Sequence, residues 1–509
     1  MKNFIKISLR QLVFIFLCTY SFVSTKAQTK MPHPNIVFFL VDDMGWQETS
    51  LPFYVEETDL NRRYHTPNME LLANQGVMFT QAYAHSICSP TRVSLMTGLN
   101  PARHMVTNWT LRKDESAGDK KDAPDIASAD WNLNGLQPLE GIGKSVYAKT
   151  FPMFLQKAGY RTIHVGKAHF GAQNTPGENP LNLGFDVNIA GHAPGGPGSY
   201  YGTNNFSAAF RNGDRIWDIP GLEKYHGRDI NLTEVLTLEA NVEMEKAVSE
   251  NKPFYLYMSH YAIHVPWEAD GRFIDKYKNR DLPEAIKTYA SMIESMDKSL
   301  GDIMHNLRRL GIEDNTIIVF MSDNGQPSIA TPNLPLRGHK AVAYEAGARV
   351  PCIVKWPNIT EAGTKNKGYF IIEDLFPTFL EMAGVKDYSQ IGGKIDGQSI
   401  VPLIKNGQAE GEERPIFWHF PHIMHAPYVP YSSVRKGDWK LIYFHRDRKL
   451  ELYNLKNDIG ETTDLASNEK ERTKKLARLL SDHLRQTGAK MAIDKTTGKE
   501  VELPDEIKL

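Results

Sequence analysis

Four apolar runs along the chain each end in a polar cluster. Asn35-Ile36-Val37-Phe38-Phe39-Leu40-Val41 stops at Asp42-Asp43, and Thr316-Ile317-Ile318-Val319-Phe320-Met321 stops at Ser322-Asp323-Asn324-Gly325. Arg161-Thr162-Ile163-His164-Val165 leads into Gly166-Lys167-Ala168-His169, and Phe254-Tyr255-Leu256-Tyr257-Met258 into Ser259-His260-Tyr261-Ala262-Ile263-His264. A continuous apolar run leaves no face for water, so each is expected as a strand covered on both sides, inside an α/β fold. In open α/β sheets ligands bind at the carboxyl edge, so these polar clusters are expected to meet there. Between the strands lie helical stretches such as Leu282 to Leu310, where Met292, Met296, Leu300, Ile303 and Leu307 fall at three- and four-residue spacing and read as core. The texture changes after Val401-Pro402-Leu403-Ile404, where a polar, glycine-bearing stretch begins. This divides the chain into a large α/β domain, 28–405, and a smaller domain, 406–509. In the latter, Arg414 to Phe420, Tyr431 to Arg435, Trp439 to Phe444 and Leu450 to Tyr453 read as an antiparallel sheet, followed by a helix from about Asn468 to Arg485. Gly191-His192-Ala193-Pro194-Gly195-Gly196-Pro197-Gly198 reads as a long surface loop, either the rim of a binding cleft or a plain solvent loop.

The first 27 residues depart from this pattern. Lys2, Lys6 and Arg10 precede an apolar run from Leu12 to Val23, and Ser24-Thr25-Lys26-Ala27 follows. The segment reads as a cleaved secretory signal, too short to cross a bilayer, and predicts an exported protein, periplasmic or secreted, with no membrane span in the mature chain. Leu17 is bulky where a lipid-attachment site at Cys18 would need a small residue, which argues against an anchor. With 59 basic and 60 acidic residues, the 509-residue chain has no surplus of positive charge for nucleic acid. After the signal only Cys88 and Cys352 remain, too few for a disulfide framework. Cys352, in the apolar run Val350 to Val354, reads as a buried structural thiol; a disulfide between it and Cys88 would abolish any chemistry at Cys88.

Cys88-Ser89-Pro90-Thr91-Arg92, closed by Leu95-Met96-Thr97-Gly98, places a thiol and a guanidinium about one helical turn apart. Pro90 suits a first turn and Gly98 a helix stop, so Cys88 is expected at a helix N-terminus, where free N–H groups attract anions. A Cys-x5-Arg phosphate loop is excluded because position 94 is Ser94. On residues alone, Cys88 is either a nucleophile or a buried thiol. Asp42, Asp43, Asp323 and Asn324 offer only oxygen, which suits Ca2+ or Mg2+ better than zinc, although each pair alone could equally cap a turn. Lys167 and His169, two apart on an extended segment, point the same way.

These residues together resemble the type I sulfatases of the alkaline phosphatase superfamily. Cys88 to Arg92 matches the family's Cys-x-Pro-x-Arg, and Gly166-Lys167-Ala168-His169 its Gly-Lys-x-His. Ile263-His264-Val265-Pro266 is similar to Pro-His-x-Pro, with Ile263 in place of proline. Arg337-Gly338-His339-Lys340 with Glu345-Ala346-Gly347-Ala348-Arg349-Val350-Pro351 resembles Arg-Gly-x-Lys and Glu-Gly-Gly-x-Arg-Val-Pro. Leu452-Tyr453-Asn454-Leu455-Lys456-Asn457-Asp458 with Glu461 resembles a late Leu-Tyr-Asp-Leu-x-x-Asp-Pro-x-Glu.

The resemblance implies a large mixed sheet flanked by helices, with a small C-terminal domain. It implies one divalent ion, Ca2+ ahead of Mg2+, on Asp42, Asp43, Asp323, Asn324 and residue 88. It further implies that a formylglycine-generating enzyme oxidises Cys88 to 3-oxoalanine (formylglycine), whose hydrate attacks sulfur. Arg92, Lys167 and Lys340 would then neutralise the sulfuryl group, His264 with Lys340 would protonate the departing oxygen, and His169 would take a proton as sulfate is expelled. The substrate expected is a sulfated glycan, of galactose or N-acetylgalactosamine type, with Trp109, Trp131, Tyr200, Tyr201, Trp267 and Trp418 as candidate stacking surfaces. Two alternatives remain at this level: a phosphoester or phosphonate monoester hydrolase of the same superfamily, and a non-catalytic glycan-binding protein if Cys88 stays a thiol.

Overall fold

A computed structural model describes residues 33–117, 125–127, 130–386, 393–406, 413–423 and 429–508. The signal-like segment, with Cys18, lies outside the described residues, as does 407–412 of the polar stretch taken as a domain boundary.

The four apolar runs form β1 (Asn35–Val41), β3 (Arg161–Gly166), β5 (Phe254–Ser259) and β6 (Thr316–Ser322). All four are adjacent and parallel, in the order β6-β1-β5-β3. Their double-sided burial is visible in β1, whose Ile36, Phe38 and Leu40 enter one core cluster while Val37, Phe39 and Val41 enter another across the sheet. Outside them lie β2 (Val77–Tyr83), β4 (Val187–Ile189), β7 (Arg349–Lys355), β8 (Thr364–Asn366) and β9 (Phe370–Ile371). β7 runs antiparallel to both β6 and β2, which makes the sheet mixed. Cys352 sits on β7 opposite Phe79, fully buried, and both it and Cys88 are free thiols.

Helices cover both faces. α1 (Pro67–Gln75), α4 (Leu232–Ser249) and α5 (Glu284–Arg309) contribute to one core, with Met292, Met296, Leu300, Ile303 and Leu307 buried as their spacing predicts. α2 (Cys88–Thr97), α3 (Phe151–Lys157) and α6 (Leu375–Met382) contribute to the other.

The C-terminal strands β10 (Ile416–Phe420), β11 (Tyr431–Lys436), β12 (Trp439–Phe444) and β13 (Lys449–Asn454) form an antiparallel meander, followed by α7 (Lys470–Thr487). Val434, Leu441, Leu450 and Leu452 pack with Leu476, Leu480 and Leu484 of α7. Trp418, Phe420, Tyr431, Ile442 and Tyr453 join the core of the large sheet instead. The second sheet is thus fastened to the first by shared apolar burial, and residues 33–508 belong to one compact unit. Among the described residues no helix is long and apolar enough to cross a membrane.

Candidate active site

The register of β1 on β6 pairs Val41 with Ser322, so the residues that follow each strand emerge side by side. The Asp43 amide donates to Asp323 Oδ1 at 3.2 Å, and Asn324 Nδ2 donates to Asp43 Oδ1 at 2.7 Å. Asp43 adopts φ 67°, in the left-handed region. Asp42, Asp43 and Asp323 are all buried, each with a carboxylate oxygen within 4.8 Å of the others'. Asp42 Oδ1 and Asn324 Oδ1 are buried without a hydrogen-bond partner. Buried oxygens without a donor are costly, and an all-oxygen set of this kind fits a hard divalent cation. Burial and the neighbouring Asp323 push the Asp42 carboxyl well above its usual range, although Lys167 opposes this. Burial acts in the same sense on Asp43, but Lys340, His264 and Lys167 hold it below that range.

Cys88 is the first residue of α2, and Gly98 ends the helix at φ 69°, as the sequence predicts. Its thiol is buried, which raises its pKa, while Lys167 and Lys340 are close enough to oppose the rise. Arg92 lies one turn along and is fully buried. Its Nε and Nη2 donate to Asp323 Oδ2 at 3.0 and 2.8 Å, and its Nη1 to Ser259 Oγ at 2.6 Å and the Lys167 carbonyl at 3.0 Å. The guanidinium therefore fixes the tips of β3, β5 and β6 relative to α2. Ser259, at the end of β5, had no motif to reveal it; only its position at a strand tip beside the others could have.

Lys167 Nζ lies 2.7 Å from Asp42 Oδ2 and 4.0 Å from Asp323 Oδ2. Lys340 Nζ contacts Asp43 Oδ1, with the Trp109 ring 5.8 Å from that nitrogen. His169 Nε2 donates to the Thr110 carbonyl at 2.9 Å, which leaves Nδ1 as a buried nitrogen with a free lone pair. Burial, with Lys167 and Arg92 nearby, pushes His169 well below its usual pKa, which favours the neutral ring. His264 Nδ1 donates to the Val265 carbonyl at 2.8 Å, its Nε2 stands 3.8 Å from Asp43 Oδ2, and its side chain is 17% exposed, at the open edge of the site. Asp42, Asp43, Cys88, Arg92, Lys167, His169, His264, Asp323, Asn324 and Lys340 thus lie together around these strand tips.

The segment Gly191 to Gly198 is not a surface loop, as expected, but is buried against this site. A Cβ on Gly195 would stand 2.4 Å from His169 Cε1, and one on Gly196 2.7 Å from His264 Nδ1. The glycines are there because the backbone must pass against two imidazoles, a reason that composition alone does not convey. Of the aromatics, Trp418 is core, its Nε1 donating to the Ala84 carbonyl at 2.8 Å, while the Tyr200 hydroxyl supports the His264 carbonyl at 2.9 Å.

The fold and this gathering of carboxylates and cations define a hydrolase of anionic esters in the alkaline phosphatase superfamily. The sulfatase family model matches residues 34–385, and the chain belongs to that family of sulfuric ester hydrolases. The C-terminal model of N-sulphoglucosamine sulphohydrolase matches residues 339–490. A sulfatase of Formosa agariphila is 29% identical, over 95% of this chain and 93% of its own. The N-acetylgalactosamine-6-sulfatase of Mus musculus is 32% identical, over 76% of this chain and 68% of its own. The crystal structure of Ps i-CgsB in complex with k-i-k-neocarrahexaose superposes with a TM-score of 0.71 at 26% identity, covering 89% of this chain and 93% of that one.

Proposed function

We propose that this protein is an exported glycan sulfatase that removes sulfate from a galactose or N-acetylgalactosamine unit, using Ca2+ and a formylglycine made from Cys88. The observation that carries the reading is the placement of Cys88 at the start of α2, near enough to Lys167, Lys340, Asp323 and Asp42 for each to act on its thiol. The named activity of the mouse relative and the saccharide bound in Ps i-CgsB support a glycan substrate. The amino-terminal basic and apolar pattern supports export.

A sulfate ester is an anion, and an oxygen nucleophile approaches it only if positive charge is already in place. Asp42, Asp43, Asp323 and Asn324 would hold the cation, which supplies part of that charge and acidifies a bound hydroxyl. Formylglycine at position 88, installed by a maturation enzyme, supplies as its hydrate an oxygen nucleophile in place of sulfur. Lys167 and Lys340 flank the position of the transferred group and offset its negative charge. Arg92 holds Asp323 and the strand tips in place from beneath. His169, neutral and with Nδ1 free, is suited to accept a proton when sulfate is expelled. His264 at the open edge, when protonated on Nε2, and the buried Lys340 are suited to donate one to the departing sugar oxygen.

The test is a panel of defined sulfated mono- and oligosaccharides, each paired with its phosphate ester, offered to protein co-expressed with a formylglycine-generating enzyme. Inorganic sulfate should appear from sugars of galactose or N-acetylgalactosamine type. Phosphate release without sulfate release across the panel would refute the reading.

A further inference from the structure

We infer that Glu461 and Lys440 of the C-terminal region are positioning residues for Lys340, the inference resting on the reading of Lys340 as a sulfuryl-binding cation. Lys340 is carried by the segment Arg337 to Arg349, and both ends of that segment are tied to Glu461. Arg337 Nη1 donates to the Glu461 carbonyl at 2.9 Å and to the Tyr453 hydroxyl at 3.3 Å. At the other end, the Glu345 amide donates to Glu461 Oε2 at 2.6 Å. The Ala346 amide donates to the Arg337 carbonyl at 3.0 Å, closing the segment on itself. Lys440 Nζ, on β12, stands 2.9 Å from Glu345 Oε1 and 2.9 Å from Glu461 Oε1.

Glu345 and Glu461 have fully buried side chains and Lys440 is 2% exposed. Two carboxylates on one ammonium, offset by Arg349 at 3.4 Å from Glu345, is a costly way to fill a core. Apolar side chains of similar volume would stabilise such a place as well. What the charged cluster adds is a fixed geometry, set by directional bonds at both ends of one loop. From that loop Lys340 extends to Asp43, while its amide donates to the Gln326 carbonyl at 2.8 Å. The late motif ending in Glu461 thereby has a task in the chemistry, although it runs from the last strand of the other sheet into the turn beyond it.

The test uses the full chain with Glu461→Gln, Lys440→Met and Arg337→Ala; Arg337 is an exposed residue whose replacement leaves the core intact. Hydrogen exchange, read without substrate, should quicken at amides 337–348 in each variant and stay unchanged in α7. With substrate, kcat/KM should fall about tenfold, the scale on which supporting partners of a site act, and should fall no further when each change is added to Lys340→Ala. Unchanged protection at 337–348, or effects that multiply with Lys340→Ala, would overturn the inference. The exchange result does not require sulfate release, so failure of the functional reading would be recognised separately.

Discussion

At the scale of single residues, the helical spacing of Cys88 and Arg92 was legible because both lie on one short element. What Arg92 touches was not, since Asp323 is 231 positions away and no local pattern encodes the pairing. Replacing Arg92 by Met would leave Asp323 buried beside two other carboxylates, with only the more distant Lys167. Breaking a buried pair in this way costs about 3–5 kcal/mol, so Arg92→Met should lower the chemical-denaturation free energy by that order and abolish sulfate release. Gly195→Ala predicts the opposite balance. The new methyl meets the far end of a side chain, His169 Cε1, not backbone. The ring must turn away from its bond to Thr110, so kcat should fall at least tenfold, as measured by sulfate release, while the melting temperature changes by only a few degrees.

At the scale of elements, β1, β5 and β6 could be read because doubly buried parallel strands are apolar at nearly every interior position, whereas β3 carries the buried polar Thr162 and His164 among its apolar residues. Their order could not, because it is set by packing and connection, as is the antiparallel insertion of β7. The Gly191 to Gly198 segment was misread for a related reason: glycine and proline mark irregular backbone, not its exposure. The side-by-side tips of β1 and β6 also make a prediction for the cation. With Ca2+ at about 100 times its dissociation constant, the folded state should gain about 2.7 kcal/mol, seen as a rise of the thermal midpoint over protein treated with chelator. The rise should vanish in Asp42→Asn/Asp323→Asn, and a rise that persists there would place calcium elsewhere.

At the scale of the whole molecule, stability should depend on pH through a residue that no motif flagged. Glu48 is buried, and its Oε2 accepts from the Tyr289 hydroxyl at 2.6 Å and the Gly45 amide at 2.9 Å, while Oε1 has no partner. Burial pushes its carboxyl from 4.5 up to about 8, against the pull of those two hydrogen bonds. The folded protein thus keeps a proton that the unfolded chain has released. Its contribution is full below about pH 4 and is lost as the pH rises towards 8, on the order of 5 kcal/mol in all. Glu48→Gln should flatten the fall of the melting temperature across that window, and an unaltered slope would assign it to other groups.

Sulfate release by protein whose residue 88 has been weighed is the most direct measurement of all. Peptide mass spectrometry should find residue 88 about 18 mass units below cysteine after co-expression with a maturation enzyme, as replacement of a thiol by a carbonyl requires. The rate of sulfate release should scale with the converted fraction and be absent in Cys88→Ala. Release at an undiminished rate from Cys88→Ala, or from protein that carries only the thiol, would contradict the proposed chemistry.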